Sequence, residues 1–215
     1  MTAVQRFAKR AFDLTLAGAG LVALSPVLAA VSLLIIAESG MPVLFRQVRI
    51  GRGFRPFQIL KFRTMVADAA RRGGALSVGR DPRITRVGRT LRRFKLDELP
   101  QLCNVLAGDM SLVGPRPEVP EYVERFRGEY EDILSIRPGM TDLASLKYRD
   151  ESALLGRAAD PAAEYVRVIL PDKIRLGREY VARASMMFDL SIILRTIGAV
   201  TGVAREPRPQ GGEPR

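Results

Sequence analysis

The sequence predicts a membrane-associated α+β protein. An N-terminal helix, broken at its middle, enters and leaves one leaflet. A β-hairpin follows, and a helical core edged by surface amphipathic helices completes the chain. Three observations carry this prediction. Residues 14–37 hold no charge at all. Residues 43–65 place β-branched and aromatic side chains on either side of Gly51-Arg52-Gly53. From Ile84 onward, apolar residues recur mainly at helical spacing.

At about 1.5 Å per residue, the run 14–37 can cross a hydrocarbon core of about 30 Å. It continues well past any small-residue cleavage site of a secretory signal. Two features favour a re-entrant segment over a simple span. Ser25-Pro26 lies mid-run, where proline removes an N–H and leaves a carbonyl in need of a partner. Basic residues flank both ends: Arg6, Lys9 and Arg10 before, and Arg46, Arg49, Arg52 and Arg55 after. The positive-inside rule then puts both flanks on the cytoplasmic side. Ser25 and Pro26 are the expected membrane break.

In the hairpin, Lys61 and Arg63 are two residues apart and share a strand face, ordinarily a solvated edge. Residues 66–83, with Gly73-Gly74, Gly79 and Asp81-Pro82, read as a long mobile loop of the kind that forms lids. Ile84, Val87, Leu91 and Phe94 define a helix with Arg86, Arg89 and Arg93 on its other faces. A second helix, with Pro100 in its first turn, ends near Ala107-Gly108-Asp109, and Ser111-Leu112-Val113 is a short strand. Residues 120–135 form an amphipathic helix whose stripe is Tyr122, Phe126, Tyr130 and Ile133. Residues 136–141 make a turn, and 161–183 are helical. Residues 186–200 are apolar but broken by Asp189 and Arg195, which suits a helix on a membrane surface or packed in the core. Asp189 in such a run is itself a candidate functional residue.

Composition narrows the chemistry. The 215 residues suit a single domain over 1–204, with a Pro- and Gly-rich tail at 205–215 expected to be disordered. The net charge of +11 is uneven: residues 1–117 carry 19 Lys and Arg against 7 Asp and Glu, while 118–215 carry 15 against 16. The basic half implies an anionic partner. A chain with no histidine and one cysteine excludes a histidine base, a Ser-His triad and a Cys/His metal site. Cys103, inside an apolar run, is expected to be a buried packing thiol in a reducing compartment.

What remains as a nucleophile is a carboxylate, ionised near pH 7 without help. Asp97 and Glu98 stand where an arginine-rich run, Arg92-Arg93-Phe94-Lys95, meets an apolar helical one. Structurally, Asp97 reads as the N-cap of that helix, with Pro100 tolerated in the first turn. Chemically, a carboxylate attacking a phosphate needs cations to offset like charge, and this region supplies them. Any metal would take oxygen ligands, which suits Mg²⁺ or Mn²⁺. Gly114-Pro115-Arg116-Pro117 fixes an arginine between prolines, as a rigid turn or an anion clamp would.

Four stretches together are recognisable: Lys61-Phe62-Arg63-Thr64-Met65, Asp81-Pro82-Arg83-Ile84-Thr85, Leu96-Asp97-Glu98-Leu99-Pro100-Gln101-Leu102, and Gly108-Asp109-Met110-Ser111-Leu112-Val113-Gly114-Pro115-Arg116-Pro117. In order and spacing they resemble the bacterial sugar transferase family, the monotopic phosphoglycosyl transferases, over roughly residues 5–200. The resemblance implies a catalytic domain on the bacterial inner membrane, facing the cytoplasm. Such an enzyme moves a sugar phosphate from a UDP-sugar to polyprenyl phosphate and releases UMP. This is the first membrane step of glycoconjugate or exopolysaccharide assembly. It also implies roles. Asp97 is the nucleophile, and Glu98 holds Mg²⁺ with it or orients the site. Lys61, Arg92, Arg116 and Pro117 lie at the substrate phosphates, and Asp189 matches a family aspartate. Ser25-Pro26 matches the family's helix break.

This chain starts almost at the apolar helix, without the multi-span domain of larger members, and is expected to be a minimal catalytic core. After Thr141 it reads Asp142-Leu143-Ala144 where many members have Gly-Trp, so no residue there takes a family role. The sequence leaves a homodimer open. The competing class is a membrane-anchored basic module for anionic lipid or nucleic acid, but adjacent acids inside the basic region weaken polyanion binding. The resemblance carries no nucleic-acid partner.

Overall fold

A computed structural model describes residues 2–72 and 76–201. Gly73-Gly74 and the tail 205–215, both assigned above from sequence, lie outside the described residues.

Helix α1, Ala3–Ser39, is 37 residues long, capped by Thr2 and Gln5 in a capping box. It is long and apolar enough to cross a membrane by length and composition. Its inward face is a single stripe: Asp13, Ala17, Leu21, Leu24, Leu28, Val31 and Ile35, every third or fourth residue. The other faces expose Val22, Leu33 and Leu34. The expected helix–break–helix is one hydrogen-bonded element with Pro26 inside it. Pro26 cannot bond the Val22 carbonyl, and the Ser25 hydroxyl donates to that oxygen at 2.8 Å instead. The pair that marks a break in the sequence thus also mends it.

Both ends of α1 are tied to the same body. Lys9 donates to the Val113 carbonyl and Arg10 to that of Val105. At the far end, Glu38 accepts the N–H groups of Arg86 and Val87. Arg63 donates to the carbonyls of Ser39 and Gly40.

Strands β1, Leu44–Ile50, and β2, Pro56–Phe62, form the expected antiparallel hairpin, with Leu44 opposite Phe62. Lys61 and Arg63 are not a solvated edge: both cations are turned inward onto partners. Arg83 holds the loop before α2 together by bonding Asp81 and the Leu76 carbonyl. Helix α2, Arg86–Arg93, starts at a Thr85 cap. A 3₁₀ turn, Leu96–Glu98, leads through Pro100 into α3, Gln101–Ala107. Asp97 therefore lies inside a turn and caps nothing, because the helix proper starts one turn later than its apolar pattern. Cys103 is exposed rather than packed, on the face of α3 away from Leu102 and Val105.

Strand β3, Ser111–Val113, pairs in parallel with β4, Gly139–Thr141. Part of the expected turn 136–141 is therefore strand. Between them the expected helix 120–135 is split into α4, Pro120–Arg125, α5, Arg127–Tyr130, and a 3₁₀ turn, Ile133–Ser135. Phe126 leaves helical geometry at φ −119°, although its stripe still packs on the core as the pattern required. Short helices α6, Leu143–Lys147, α7, Glu151–Leu155, and α8, Pro161–Glu164, precede a π turn, Tyr165–Ile169. Wide turns accommodate the N–H that Pro171 lacks. Helix α9, Leu170–Arg183, and α10, Met186–Thr201, close the structure. Helix α10 buries Asp189 and Ile192 and exposes Met187, Leu190, Leu194 and Ile197.

Candidate active site

Three segments converge on Glu98. Strand β2 delivers Lys61, whose ammonium lies 2.8 Å from Glu98 Oε1. The segment after β3 delivers Arg116, with Nη2 on the same oxygen and Nη1 3.4 Å from Oε2. Arg116 is held in place because Gly114 and Gly139 touch backbone to backbone. A Cβ on Gly139 would fall 2.0 Å from the Gly114 nitrogen. The Arg116 N–H also donates to Asp142 Oδ2 at 3.1 Å.

Helix α2 delivers Arg92 by a second close approach: a Cβ on Gly88 would meet the Thr64 carbonyl oxygen at 2.1 Å. At that separation Arg92 Nε donates to the Thr64 hydroxyl at 2.8 Å and Nη1 to Ser77 at 2.9 Å. Between α2 and the 3₁₀ turn the chain must reverse. Lys95 does so at φ 56°, a left-handed conformation that costs a non-glycine residue energy and recurs at functional sites.

The two acids live in opposite electrostatic states. For Glu98, burial would raise the carboxyl, but Arg116 and Lys61 outweigh it and hold it well below the ordinary range. Glu98 in turn drives Arg116 upward. Asp97 is raised, by burial first and by the neighbouring Glu98 charge second, with Lys61, Lys95 and Arg92 only partly compensating. It is 8% exposed, and its Oδ1 is buried without a hydrogen-bond partner among the described residues. Leaving such a group unsatisfied costs about 1–3 kcal/mol, more when charged. Burial also lowers Lys61 and Arg92, so the site holds several charges that bulk water would solvate better.

Oxygen donors for a divalent cation are present in small number. Among the described residues no group of three or more acidic, histidine or cysteine side chains could hold a metal. Asp97 Oδ1 has no donor, and Glu98 Oε2 has only the 3.4 Å contact. Two adjacent carboxylates with spare acceptor capacity fit Mg²⁺, which commonly takes one or two protein carboxylates and completes its shell with phosphates and water.

The other residues singled out from sequence lie apart from this cluster. Pro117 is buried and gives its carbonyl to Arg49 Nη1 at 3.1 Å. Asp189 accepts from Lys9 and from Tyr180, each at 2.6 Å, in a separate buried cluster that joins α1, α9 and α10. Ser25 and Pro26 sit mid-way along α1. Sequence reasoning missed Thr64, Ser77, Asp142 and Gln101. Gln101 is fully buried, and neither amide atom has a partner among the described residues. Thr64 and Gln101 lie inside the quoted motifs, and a role for every polar residue of those motifs would have been the signal. Ser77 and Asp142 had none, being placed by tertiary contacts alone.

The class that the geometry defines is an α+β body with one long apolar helix docked on it and a buried Asp-Glu pair set against lysine and arginine. The family is fixed by comparison: residues 4–202 match the model of the bacterial sugar transferases, and the chain belongs to that family. It is 37% identical over 202 residues to the UDP-N-acetylgalactosamine-undecaprenyl-phosphate N-acetylgalactosaminephosphotransferase of Aeromonas hydrophila, covering 92% of this chain and 44% of the relative. It is 35% identical over 201 residues to the UDP-glucose:undecaprenyl-phosphate glucose-1-phosphate transferase of Escherichia coli K12, covering 92% and 41%. With the exopolysaccharide production protein PSS of Rhizobium leguminosarum it shares 40% over 196 residues, covering 88% and 92%. The chain thus spans less than half the length of the first two relatives and nearly all of the third.

Proposed function

We propose that this chain transfers a sugar-1-phosphate from a UDP-sugar to polyprenyl phosphate, with Asp97 as nucleophile. The observation that carries this is Asp97 itself: a buried carboxylate without a hydrogen-bond partner among the described residues, beside a Glu98 whose Oε1 holds both Lys61 and Arg116. Stability alone would have paired or removed it. The relatives' names supply the substrate class.

In the first half-reaction an oxygen of Asp97 attacks the sugar-bearing phosphorus of the donor. The P–O bond to the nucleoside monophosphate breaks, and UMP leaves with that electron pair. In the second, a phosphate oxygen of the polyprenyl acceptor attacks the same phosphorus. The aspartyl P–O bond breaks, Asp97 regains its carboxylate, and the product is a polyprenyl diphosphate sugar. Oδ1 is the enclosed oxygen, so Oδ2 is the one that attacks. Lys61, Arg92 and Arg116 offset the approach of an anion to a carboxylate. Glu98 stays ionised throughout and holds Lys61 and Arg116 in place. Asp97 and Glu98 would hold Mg²⁺, which would neutralise charge on the donor diphosphate.

The proposal extends to the membrane arrangement, and α1 is its support. Both its ends bond to one body through Lys9, Arg10, Glu38 and Ser39. That tying supports the reading in which α1 lies in one leaflet, re-entrant at Ser25-Pro26, on the cytoplasmic side of the inner membrane. There the lipid phosphate and the soluble donor meet in one plane, and the apolar side of α10 rests on the same surface. Cysteines introduced at residues 3 and 45, in a Cys103→Ser background, should label from the same side; labelling from opposite sides would reject this topology.

The activity is tested with protein in detergent, undecaprenyl phosphate, Mg²⁺ and a panel of UDP-sugars. UMP release with one or a few donors, lost in Asp97→Asn and on chelation, is the expected result. Release by Asp97→Asn at the wild-type rate would remove Asp97 as nucleophile.

A further inference from the structure

We infer that Glu38, at the end of the apolar helix, is a positioning residue for Arg92. By holding two N–H groups at the start of α2, it fixes the direction of that helix and so the place where the guanidinium near its other end meets a substrate phosphate. The inference rests on the reading in which Arg92 contacts that phosphate.

The hold is direct. Glu38 Oε1 accepts the Arg86 N–H at 2.7 Å, and Oε2 accepts that of Val87 at 2.9 Å. Helix α2 already has a cap of its own, since Thr85 Oγ1 accepts the Gly88 N–H at 2.9 Å. The second cap comes from another helix, 48 residues away in sequence. Both bonds are exposed, and water would satisfy the same two N–H groups if Glu38 were absent. What water cannot do is fix a direction. Both oxygens of one carboxylate on consecutive N–H groups set the start of α2 against the end of α1.

Arg92 stands about 9 Å further along the helix, at a rise of about 1.5 Å per residue. Its Nε and Nη1 donate to the neutral hydroxyls of Thr64 and Ser77 rather than to a carboxylate. Such bonds leave its charge available to an anion but anchor it less firmly than an ion pair would, so the helix that carries it has to be held elsewhere. The pivot is Thr64. Its carbonyl accepts the Thr85 N–H at 3.0 Å and lies so close to Gly88 that a Cβ there would meet it at 2.1 Å. One point of close approach fixes where α2 sits, not how it is turned about that point. Val87 and Leu91 share an apolar cluster with Val31 and Ile35 of α1, but apolar contact is non-directional. Next to the pivot, Arg63 Nη2 grips α1 through the Ser39 and Gly40 carbonyls at 2.8 and 2.7 Å. The end of α1, residues 63–64 and α2 thereby close a triangle, and Glu38 is the side that sets its angle. The apolar helix reaches the site through Arg92.

The test uses the full-length protein in detergent with Glu38→Ala and Glu38→Gln, each alone and combined with Arg92→Gln. Two readouts apply: UMP release, and modification of Arg92 by phenylglyoxal without substrate, read in its peptide by mass spectrometry. Glu38→Ala should melt close to wild type, lower kcat/KM on the order of tenfold, and expose Arg92 to faster labelling. Glu38→Gln keeps one acceptor oxygen and should fall between; it serves if the Ala variant fails to fold. Arg92→Gln alone should lower the rate further, and adding Glu38→Ala to it should cost nothing more, because the two residues act as one. Losses that multiply in the double variant, or a rate and a labelling that stay at wild type, would make Glu38 a helix cap only and overturn the inference. Faster labelling with an unchanged rate would show that the position of Arg92 does not matter to the reaction and would equally overturn it. Should the wild type release no UMP from any UDP-sugar, the proposed reaction fails instead, and the labelling still decides whether Glu38 holds Arg92.

Discussion

Asp97 and Asp189 are both buried aspartates with a lysine close by, yet they are built to opposite ends. Asp189 has a donor on each oxygen, Lys9 on Oδ2 and Tyr180 on Oδ1. Asp13 beside it accepts from Ser111 at 2.7 Å and from the Leu112 N–H at 3.2 Å. That cluster is a satisfied polar network that clamps α1 to β3 and α10. Asp97 has no donor at all among the described residues: Lys61 is paired with Glu98, and Arg92 bonds Thr64 and Ser77. Buried acids that are fully paired hold structure. One left unpaired, at a cost in stability, has been kept for something that arrives later.

The largest test of this contrast is Asp97→Asn. Loss of the nucleophile should lower UMP release on the order of 10⁴-fold or more, while the variant melts at or above wild type. The sign follows from linkage. The native carboxyl is raised above its unfolded value, so its charge opposes folding once pH rises through the native pKa, and Asn removes that charge. The melting difference should vanish in acid, where Asp97 is protonated in both states. A variant that is both inactive and much less stable would erase the contrast with Asp189.

Next in size is Asp189→Ala. It strands Lys9 beside the Val113 carbonyl with Asp13 3.9 Å away. Breaking a buried pair from one side costs about 3–5 kcal/mol. For a chain of this length that lowers Tm by roughly 2–4 °C per kcal/mol. Activity per folded molecule should survive. If thermal melting is unchanged and donor KM rises, Asp189 touches substrate and the clamp is misassigned.

The same two environments separate in a pH profile. The acid limb of kcat/KM should lie above the ordinary aspartate value of about 3.9, because burial and Glu98 raise Asp97. Glu98 is lowered, so its contribution to stability is full above the unfolded carboxylate value and is lost only as pH falls through its depressed native one. Activity should therefore fail on acidification well before the fold does. Coincident loss of rate and near-ultraviolet signal would refute this ordering.

Local chemistry made much of this legible from sequence. The hairpin around Gly51-Arg52-Gly53 and the helix carrying Val87 and Leu91 are local patterns, and they appear as expected. The motifs singled out Lys61, Arg116 and Glu98 as site residues, but that the two cations pair with Glu98 is visible only in the fold. What failed depended on long-range geometry. Nothing near Phe126 announces that its helix must break. Nothing near residue 139 announces a parallel partner at residue 111. Cys103 was judged by its apolar neighbours in sequence, whereas the helix turns it outward. Asp97 looked like a cap because Pro100 and the leucines look like a first turn, and an intervening 3₁₀ turn moved the helix start.

The smallest effect sharpens the comparison most, because it removes a polar atom and almost no volume. Tyr180→Phe deletes the hydroxyl that donates to Asp189 Oδ1 at 2.6 Å and lies 3.1 Å from the Val113 carbonyl. In a satisfied network that loss leaves a charged acceptor exposed to nothing, and should cost about 1.5–3 kcal/mol. Thermal unfolding of the variant measures it, with UMP release per folded molecule unchanged. Gln101→Met is its mirror image: it too removes polar atoms from a buried position, but from one where they have no hydrogen-bond partner among the described residues, and should raise Tm. Shifts of the same sign in both variants would mean that the pairing of buried polar atoms does not decide what they contribute to stability in this fold.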